Sequence, residues 1–138
     1  MRKMKKTVAL LLVMITILMF TGCSLLSEER VKLKDLGFTV VSEEKIPAEL
    51  KTIIDEKKAD PFKLTYSADG YLYIVIGYGQ QASGGYSIAV NELYLTEDAI
   101  YVNTTLLGPA ETENVSRVPS CPYIVLKLDY LEKPVIFE

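Results

Sequence analysis

The chain has 138 residues, with 15 lysines and arginines, 18 aspartates and glutamates, and no histidine or tryptophan. This length leaves room for one domain. The lack of histidine excludes His-based catalytic triads, Cys–His dyads and most zinc sites. No other nucleophile–base pair is evident, so we expect a protein that is not an enzyme and that uses no metal or cofactor.

The first 22 residues have the layout of a secretory signal peptide. Four basic residues lie within the first six positions, and the segment from Val8 to Phe20 carries no charge. This apolar segment is shorter than the roughly 20 residues that span a bilayer as a helix. The pattern therefore predicts an export signal and not a membrane-spanning helix.

The end of this segment, Phe20-Thr21-Gly22-Cys23, resembles the lipobox of bacterial lipoproteins. In a lipobox an aliphatic residue, a small residue and Gly or Ala precede a Cys, and here Phe20 stands where Leu or Val is usual. A thiol is readily ionised and can accept a diacylglyceryl group, and two or more acyl chains anchor a protein stably. The resemblance implies a lipid anchor on Cys23 and a place on the extracytoplasmic face of a bacterial membrane, in the cell envelope.

Removal of residues 1–22 leaves 11 basic and 18 acidic residues, a formal net charge of −7. Nucleic acids bind proteins that neutralise their phosphates, so we expect no nucleic-acid partner. The cysteine that remains after Cys23 is Cys121, which lies between Pro119 and Pro122. A small, half-buried thiol is the simplest interpretation of Cys121, with an intermolecular disulfide or a reactive thiol as alternatives.

The mature chain opens with a polar tether over residues 23–34, and the predicted domain covers residues 35–138. A short strand is predicted at 37–41, followed by one helix at 47–58. Pro47 suits the first helical position, and Leu50, Ile53 and Ile54 form one apolar stripe. Asp60-Pro61 is expected to end this helix.

The rest of the chain predicts β structure, because short segments rich in β-branched and aromatic residues alternate with turn signals. The predicted strands are 62–66, 71–77, 86–95, 99–106, 122–130 and 134–137, with a polar loop at 108–120. Asp69-Gly70 suits a hairpin turn. Segment 71–77 is nearly all apolar, which predicts burial on both faces, and Pro134 favours an edge position. We predict a mainly β fold: an antiparallel sandwich or partly open barrel of about six to seven short strands, with one helix near residues 47–58.

The most unusual segment is glycine-rich, with four glycines between residues 77 and 85. It contains a G-x-G-x-x-A pattern, but a dinucleotide site needs a helix to begin there, and the sequence predicts a loop and then a strand. Two interpretations stay open. The segment is either a turn that joins two strands, or a binding loop presented by a rigid scaffold.

Three segments resemble the C-terminal domain of PrcB-type protease complex subunits. They are Tyr71 to Gly79, Ser83-Gly84-Gly85-Tyr86-Ser87-Ile88, and Pro122 to Leu128, and the match covers roughly residues 72–130. Ala82 stands where the family commonly has Lys or Pro. The resemblance implies a non-catalytic envelope lipoprotein that binds and stabilises a secreted or surface protease. On the loop's character we assign the contact with a protein partner to Gln80, Gln81, Ser83, Gly84, Gly85 and Tyr86.

Two other functions remain as alternatives. A β domain in the envelope could bind a small ligand or cell-wall glycan in a cleft, where exposed tyrosines would stack on sugars. The Ser-Gly-Gly-Tyr loop is also similar to a loop of chagasin-type cysteine protease inhibitors, although their other loop motifs are not evident here.

Overall fold

The computed structural model describes residues 30–138. The predicted signal peptide and Cys23 lie outside the described residues. In chain order the elements are β1 (Lys34–Asp35), β2 (Thr39–Val40), a 3-10 turn (Glu43–Lys45), α1 (Ala48–Lys57), β3 (Pro61–Ala68), β4 (Tyr71–Tyr78), β5 (Ser87–Leu95), β6 (Ile100–Leu107), β7 (Tyr123–Asp129) and β8 (Val135–Phe137). Within these residues, no helix has the length and apolar character needed to cross a membrane.

The strands form two four-stranded sheets. The first sheet has the order β1-β5-β6-β8 and the second has the order β2-β7-β4-β3. The predicted mainly β fold with one helix is confirmed: the two sheets pack as an open sandwich, and the helix covers the outer face of the second sheet. Neither sheet closes into a barrel.

Strand β4 lies between β7 and β3 in the second sheet. Every residue from Leu72 to Gly77 is buried. Successive side chains of a strand point to opposite faces. Leu72, Ile74 and Ile76 therefore belong to the core between the sheets, whereas Tyr73 and Val75 face the helix. This double burial confirms the prediction that an apolar strand lies between two layers.

Helix α1 packs through one apolar stripe. Leu50 and Ile54 are fully buried against Tyr73, Val75 and Val125 of the second sheet. Pro47 is the N-cap of the helix, one position before the place predicted for it. The helix therefore forms a third layer, and both faces of β4 are shielded from water.

Two features of the sheets differ from the sequence-based prediction. A short strand, β1, begins at Lys34, the last residue of the predicted tether. Strand β8 pairs with β6 in parallel, with Ile100 opposite Val135. The parallel pairing arises because the chain leaves β7 in the second sheet and crosses to the outer edge of the first. Once there, β8 runs in the same direction as β6. Strand β8 is an edge strand, as Pro134 predicted.

Candidate functional site

Two connections between the sheets lie side by side at one end of the sandwich. The first, here called the Gly-rich loop (residues 79–86), joins β4 to β5. The second, here called the long loop (residues 108–122), joins β6 to β7. Each loop leaves one sheet and enters the other, so the two loops together cap the same end of the core.

Backbone hydrogen bonds join the two loops. Gln81 and Ser120 form an antiparallel bridge, in which the Gln81 N–H donates to the Ser120 carbonyl at 2.7 Å and the Ser120 N–H donates back at 3.1 Å. The Gly84 N–H donates to the Ser116 carbonyl at 2.9 Å. The Ser120 hydroxyl adds a bond of 2.7 Å to the Ser83 carbonyl. These contacts fix the Gly-rich loop to its neighbour and reduce the ordering that binding would need.

Two glycines of the Gly-rich loop have backbones that other residues rarely adopt. Gly79 and Gly85 have φ of +76° and +85°. A Cβ atom on Gly85 would also lie 2.5 Å from the Cγ1 atom of Val115. Gly84 differs, because a Cβ atom there would be 3.6 Å from its nearest neighbour, in Ser116. Gly85 is therefore required both by its conformation and by the close approach of the long loop.

The side chains predicted to contact a partner are unequally available. Gln80 and Gly85 are exposed, whereas Ser83 and Tyr86 are half-buried. The Gln81 side chain turns back and donates to the Tyr78 carbonyl at 3.2 Å. The Ser83 hydroxyl donates to the Gly84 carbonyl at 3.1 Å, and the Gly84 amide is used by the long loop. Part of the predicted set thus builds the loop, and Gln80, Gly85 and Tyr86 contribute to its surface.

The sequence-based prediction missed the contribution of the long loop. Val115 packs against Gly85, while Val118 is 69% exposed and Leu107 at the end of β6 is 47% exposed. Two valines in an otherwise polar loop are the signal that could have revealed this role. The result is a composite surface, here called the two-loop surface, that combines the uncharged Gly-rich loop with the exposed aliphatic and charged side chains of the long loop.

The electrostatically perturbed groups lie elsewhere in the fold. On α1, the hydrogen bonds that the Lys51 ammonium donates to Asp55 and Glu43 raise the pKa of Lys51, and the same ammonium lowers the pKa of the Asp55 carboxyl. A hydrogen bond to Glu49 raises the pKa of Tyr66. Residues 79–91 carry no charge. Among residues 30–138, no group of His, Cys, Asp or Glu is arranged to hold a metal ion. The charges of the two-loop surface thus lie on the long loop, where Glu111, Glu113 and Arg117 are exposed.

A second concave site lies at the opposite end of the second sheet. An open groove of about 610 Å³ is lined by residues of the β1–β2 segment and of β4 and β7. Phe38, Val40 and Tyr71 expose apolar surface there. The Lys127 ammonium lies 3.9 Å from the centroid of the Tyr71 ring, so a cation already covers one face of that aromatic ring.

Cys121 is a half-buried free thiol. It lines a shallow pocket of about 320 Å³ beside Ile46 and Tyr123. This placement agrees with the simplest interpretation of the residue, a small side chain that fills space at the start of β7.

Comparison with known proteins gives a match to a family model. Residues 72–129 match the family model described as PrcB C-terminal. Neither the curated proteins nor the solved structures gave a match. The matched region runs from β4 to β7 and includes both loops of the two-loop surface. The resemblance inferred from the sequence motifs is confirmed over residues 72–129, which match this family model.

Proposed function

We propose that this chain is a non-catalytic, lipid-anchored subunit that binds an envelope or secreted protease through its two-loop surface. Cys23 carries the acyl chains and holds the domain on the extracytoplasmic face of the membrane. The observation that carries the proposal is the bridge between Gln81 and Ser120, which fixes a glycine-rich loop inside the segment that matches the PrcB C-terminal family.

The chemistry of the surface suits a protein partner. Stable interfaces combine apolar contacts in their centre with hydrogen-bonding groups around them. Val118 and Leu107 supply exposed apolar area, and Gln80 and Tyr86 supply polar and aromatic groups nearby. Tyrosine is a frequent source of binding energy at interfaces because it offers a large contact area and a hydroxyl group.

The test is in-cell crosslinking followed by affinity capture and mass spectrometry. Gln80→Arg places a cation on the exposed part of the Gly-rich loop, and we expect it to remove a protease that the natural chain captures. Thr52→Arg is the matched control, because it makes the same charge change on the exposed face of α1. Capture of the protease by both variants, or by neither, would refute the assignment of the contact to this loop.

The protease-inhibitor alternative is separated from the subunit proposal by the activity of the captured protease. A stabilising subunit should prolong the activity of the protease during incubation at elevated temperature. An inhibitor should lower that activity in proportion to the amount of chain added. Loss of protease activity on addition of the purified chain would therefore replace the subunit role with an inhibitory one.

The lipid anchor has its own test. We expect the N-terminal peptide of the mature chain to begin at Cys23 and to carry the mass of a diacylglyceryl group. Cys23→Ala should move the protein from the membrane fraction to the soluble fraction or leave it uncleaved. An unmodified N-terminal peptide in the membrane fraction would contradict the anchor while leaving the protease proposal intact.

A second candidate function is favoured by the groove beside Tyr71. Its exposed aromatic rings could stack on a sugar of the cell wall, as the glycan alternative requires. Because Lys127 already covers one face of Tyr71, this binding would use the other face or displace the ammonium group. Binding of wall polymers to the natural chain, with loss in Tyr71→Ala and retention in Gln80→Arg, would favour this function over protease binding.

A further inference from the structure

The outer edge of β5 is paired along only half of its length. Strand β1 pairs with Tyr94 and Leu95, and the Leu36 N–H donates to the Leu93 carbonyl at 2.9 Å. Within residues 30–138, no strand pairs with residues 87–91 on that side. This half of the edge directly follows the Gly-rich loop.

The hydrogen bonds of β6 show which backbone groups of β5 point outward. The Ile100 N–H and the Val102 carbonyl bond to the C-terminal segment that contains β8. Alternate residues of an antiparallel strand bond to opposite neighbours. Thr105 and Leu107 therefore turn their N–H and C=O groups toward β5.

The partners of Thr105 and Leu107 in β5 are Ala89 and Ser87. Ile88 and Val90, which alternate with them, consequently direct their N–H and C=O groups to the outer edge. The register with β6 shifts by one residue at Asn91. After this shift, the backbone groups that point outward are those that bond to the β1 segment. The edge thus presents two donors and two acceptors at the spacing of a β-strand.

Other edges of the sandwich carry features that discourage strand addition. Lysines that point inward, prolines and short edge strands all have this effect. On β3, Pro61 lacks an N–H, and the Lys63 ammonium reaches across to within 5.8 Å of the centroid of the Phe137 ring. Strand β8 is three residues long and follows Pro134. Residues 87–90, in contrast, contain neither charge nor proline.

The core is also open beneath this edge. Ile88 and Val90 are only half-buried although they pack against the core between the sheets. A shallow pocket of about 180 Å³ lies between Tyr86, Ile88 and the start of β7, with Pro122 and Ile124 on its far wall. An added strand would cover these side chains and complete the edge of the sandwich.

We propose that residues 87–90 bind an extended peptide segment of the partner protein as an additional strand of the first sheet. Charge selects the segment: residues 79–91 are uncharged and the exposed Glu92 follows them. The occupant is therefore an extended segment with apolar, β-branched residues at alternate positions, no charge in its centre, and a basic residue at the end beside Glu92. This inference rests on the proposed function in one respect, namely that the partner is a protein. It adds how that partner docks.

The first experiment uses a synthetic peptide of alternating valine and threonine with lysine at both ends, added to the full chain in detergent. Amide hydrogen exchange is followed by NMR. We expect exchange at Ile88 and Val90 to slow by about tenfold or more, because each N–H gains a hydrogen bond. Ser87 and Ala89, which already bond to β6, should change less. Peptides N-methylated at one set of alternate residues should lose this effect, and peptides methylated at the other set should keep it.

The matched variants separate backbone pairing from side-chain packing. Val90→Pro removes an outward N–H and should abolish the protection by the peptide, whereas Val90→Ala keeps the N–H and should retain it. Thr65→Pro makes the same change on the edge of β3 and should have no effect on peptide binding. Equal loss in Val90→Ala and Val90→Pro would overturn the strand-addition mechanism.

Other results would also overturn the proposal. Protection at Ile88 and Val90 that rises with chain concentration in the absence of peptide would identify a second copy as the occupant. An unchanged exchange pattern at millimolar peptide would mean that the edge does not accept a strand. The proposed protease role is tested separately. Gln80→Arg should lose protease capture but keep peptide binding at the β5 edge.

Discussion

The two ends of β4 show how similar backbone requirements arise from different causes. At one end, Asp69 and Gly70 form a two-residue turn with φ of +53° and +80°, and Ala68 pairs directly with Tyr71. At the other end, Gly85 has a φ of +85°. A Cβ atom on Gly70 would meet nothing within 4 Å, whereas one on Gly85 would meet Val115 and Pro109.

The conformation of the turn is determined by its own sequence, whereas the conformation of the Gly-rich loop is determined by contacts with the long loop. Positive φ at both central residues gives the turn a twist that matches the flanking strands, so Asp-Gly specifies the hairpin without help. The Gly-rich loop instead depends on the long loop, which bonds to it across 32 residues (Gly84 to Ser116) and 39 residues (Gln81 to Ser120) of chain. Substitutions at the two ends should therefore differ in how much they lower the free energy of unfolding and in how far from the substituted residue their effects extend.

The largest effect is expected for Gly85→Ala. The left-handed backbone would cost about 1–2 kcal/mol, and the overlap with Val115 adds a further cost of about 1 kcal/mol from overpacking. We expect the free energy of unfolding, measured by urea denaturation, to fall by about 2–3 kcal/mol. Gly84→Ala is the matched control, because its Cβ would make only ordinary contacts. Equal loss in the two variants would show that the contact with Val115 does not restrain the loop.

A smaller effect is expected for Gly70→Ala. Only the backbone strain of about 1–2 kcal/mol applies there, since the surroundings of Gly70 are open. Gly70→Asn should cost less, because asparagine tolerates positive φ better than alanine does. The free energies of unfolding of the two variants test this order. A cost for Gly70→Ala above that of Gly85→Ala would break the proposed distinction between the two ends.

The same distinction explains what could be predicted from the sequence. The helix and the hairpin at Asp69-Gly70 follow from patterns that span a few residues, and the structure has them within one or two positions of the predicted places. The double burial of β4 follows from its uninterrupted apolar composition. Each of these features needs no knowledge of distant residues.

The features that were missed depend on pairing between distant residues. Strand β1 is too short and polar to give a signal of its own, and it exists because Lys34 and Asp35 meet the end of β5. The parallel pairing of β8 depends on how the chain crosses from the end of β7, in the second sheet, to the outer edge of the first sheet. In the candidate site, the bridge from Gln81 to Ser120 has no local pattern on either side. The sequence therefore predicted which loop is unusual but not what holds it.

An intermediate test concerns the side-chain link between the loops. Ser120→Ala removes the hydroxyl that donates to the Ser83 carbonyl and should cost about 1 kcal/mol. Hydrogen exchange should quicken at the amides of Gln81 and Gly84, which bond to the long loop, and stay unchanged at the hairpin turn. Ser116→Ala keeps its backbone carbonyl and should leave the Gly84 amide protected. Faster exchange at Asp69 and Gly70 in Ser120→Ala would show that the two ends of β4 are coupled.

The smallest effect concerns pH and should leave both ends of β4 unaffected. The Asp55 carboxylate accepts a hydrogen bond of 2.8 Å from Lys51, which lowers its pKa in the folded state. The stabilisation is therefore present above the unfolded-state pKa of about 4 and is lost as pH falls through the lower folded-state pKa.

Asp55→Asn should be slightly less stable than the natural chain at pH 6, and the difference should disappear once the pH has fallen below the lowered folded-state pKa of Asp55. Because this ion pair is exposed, high salt should also reduce the difference. The contacts described for the Gly-rich loop join uncharged groups, so exchange at Gln81 and Gly84 should be no faster in Asp55→Asn at either pH. A difference in stability that grows on acidification would contradict the lowered pKa and the role of Lys51 in it.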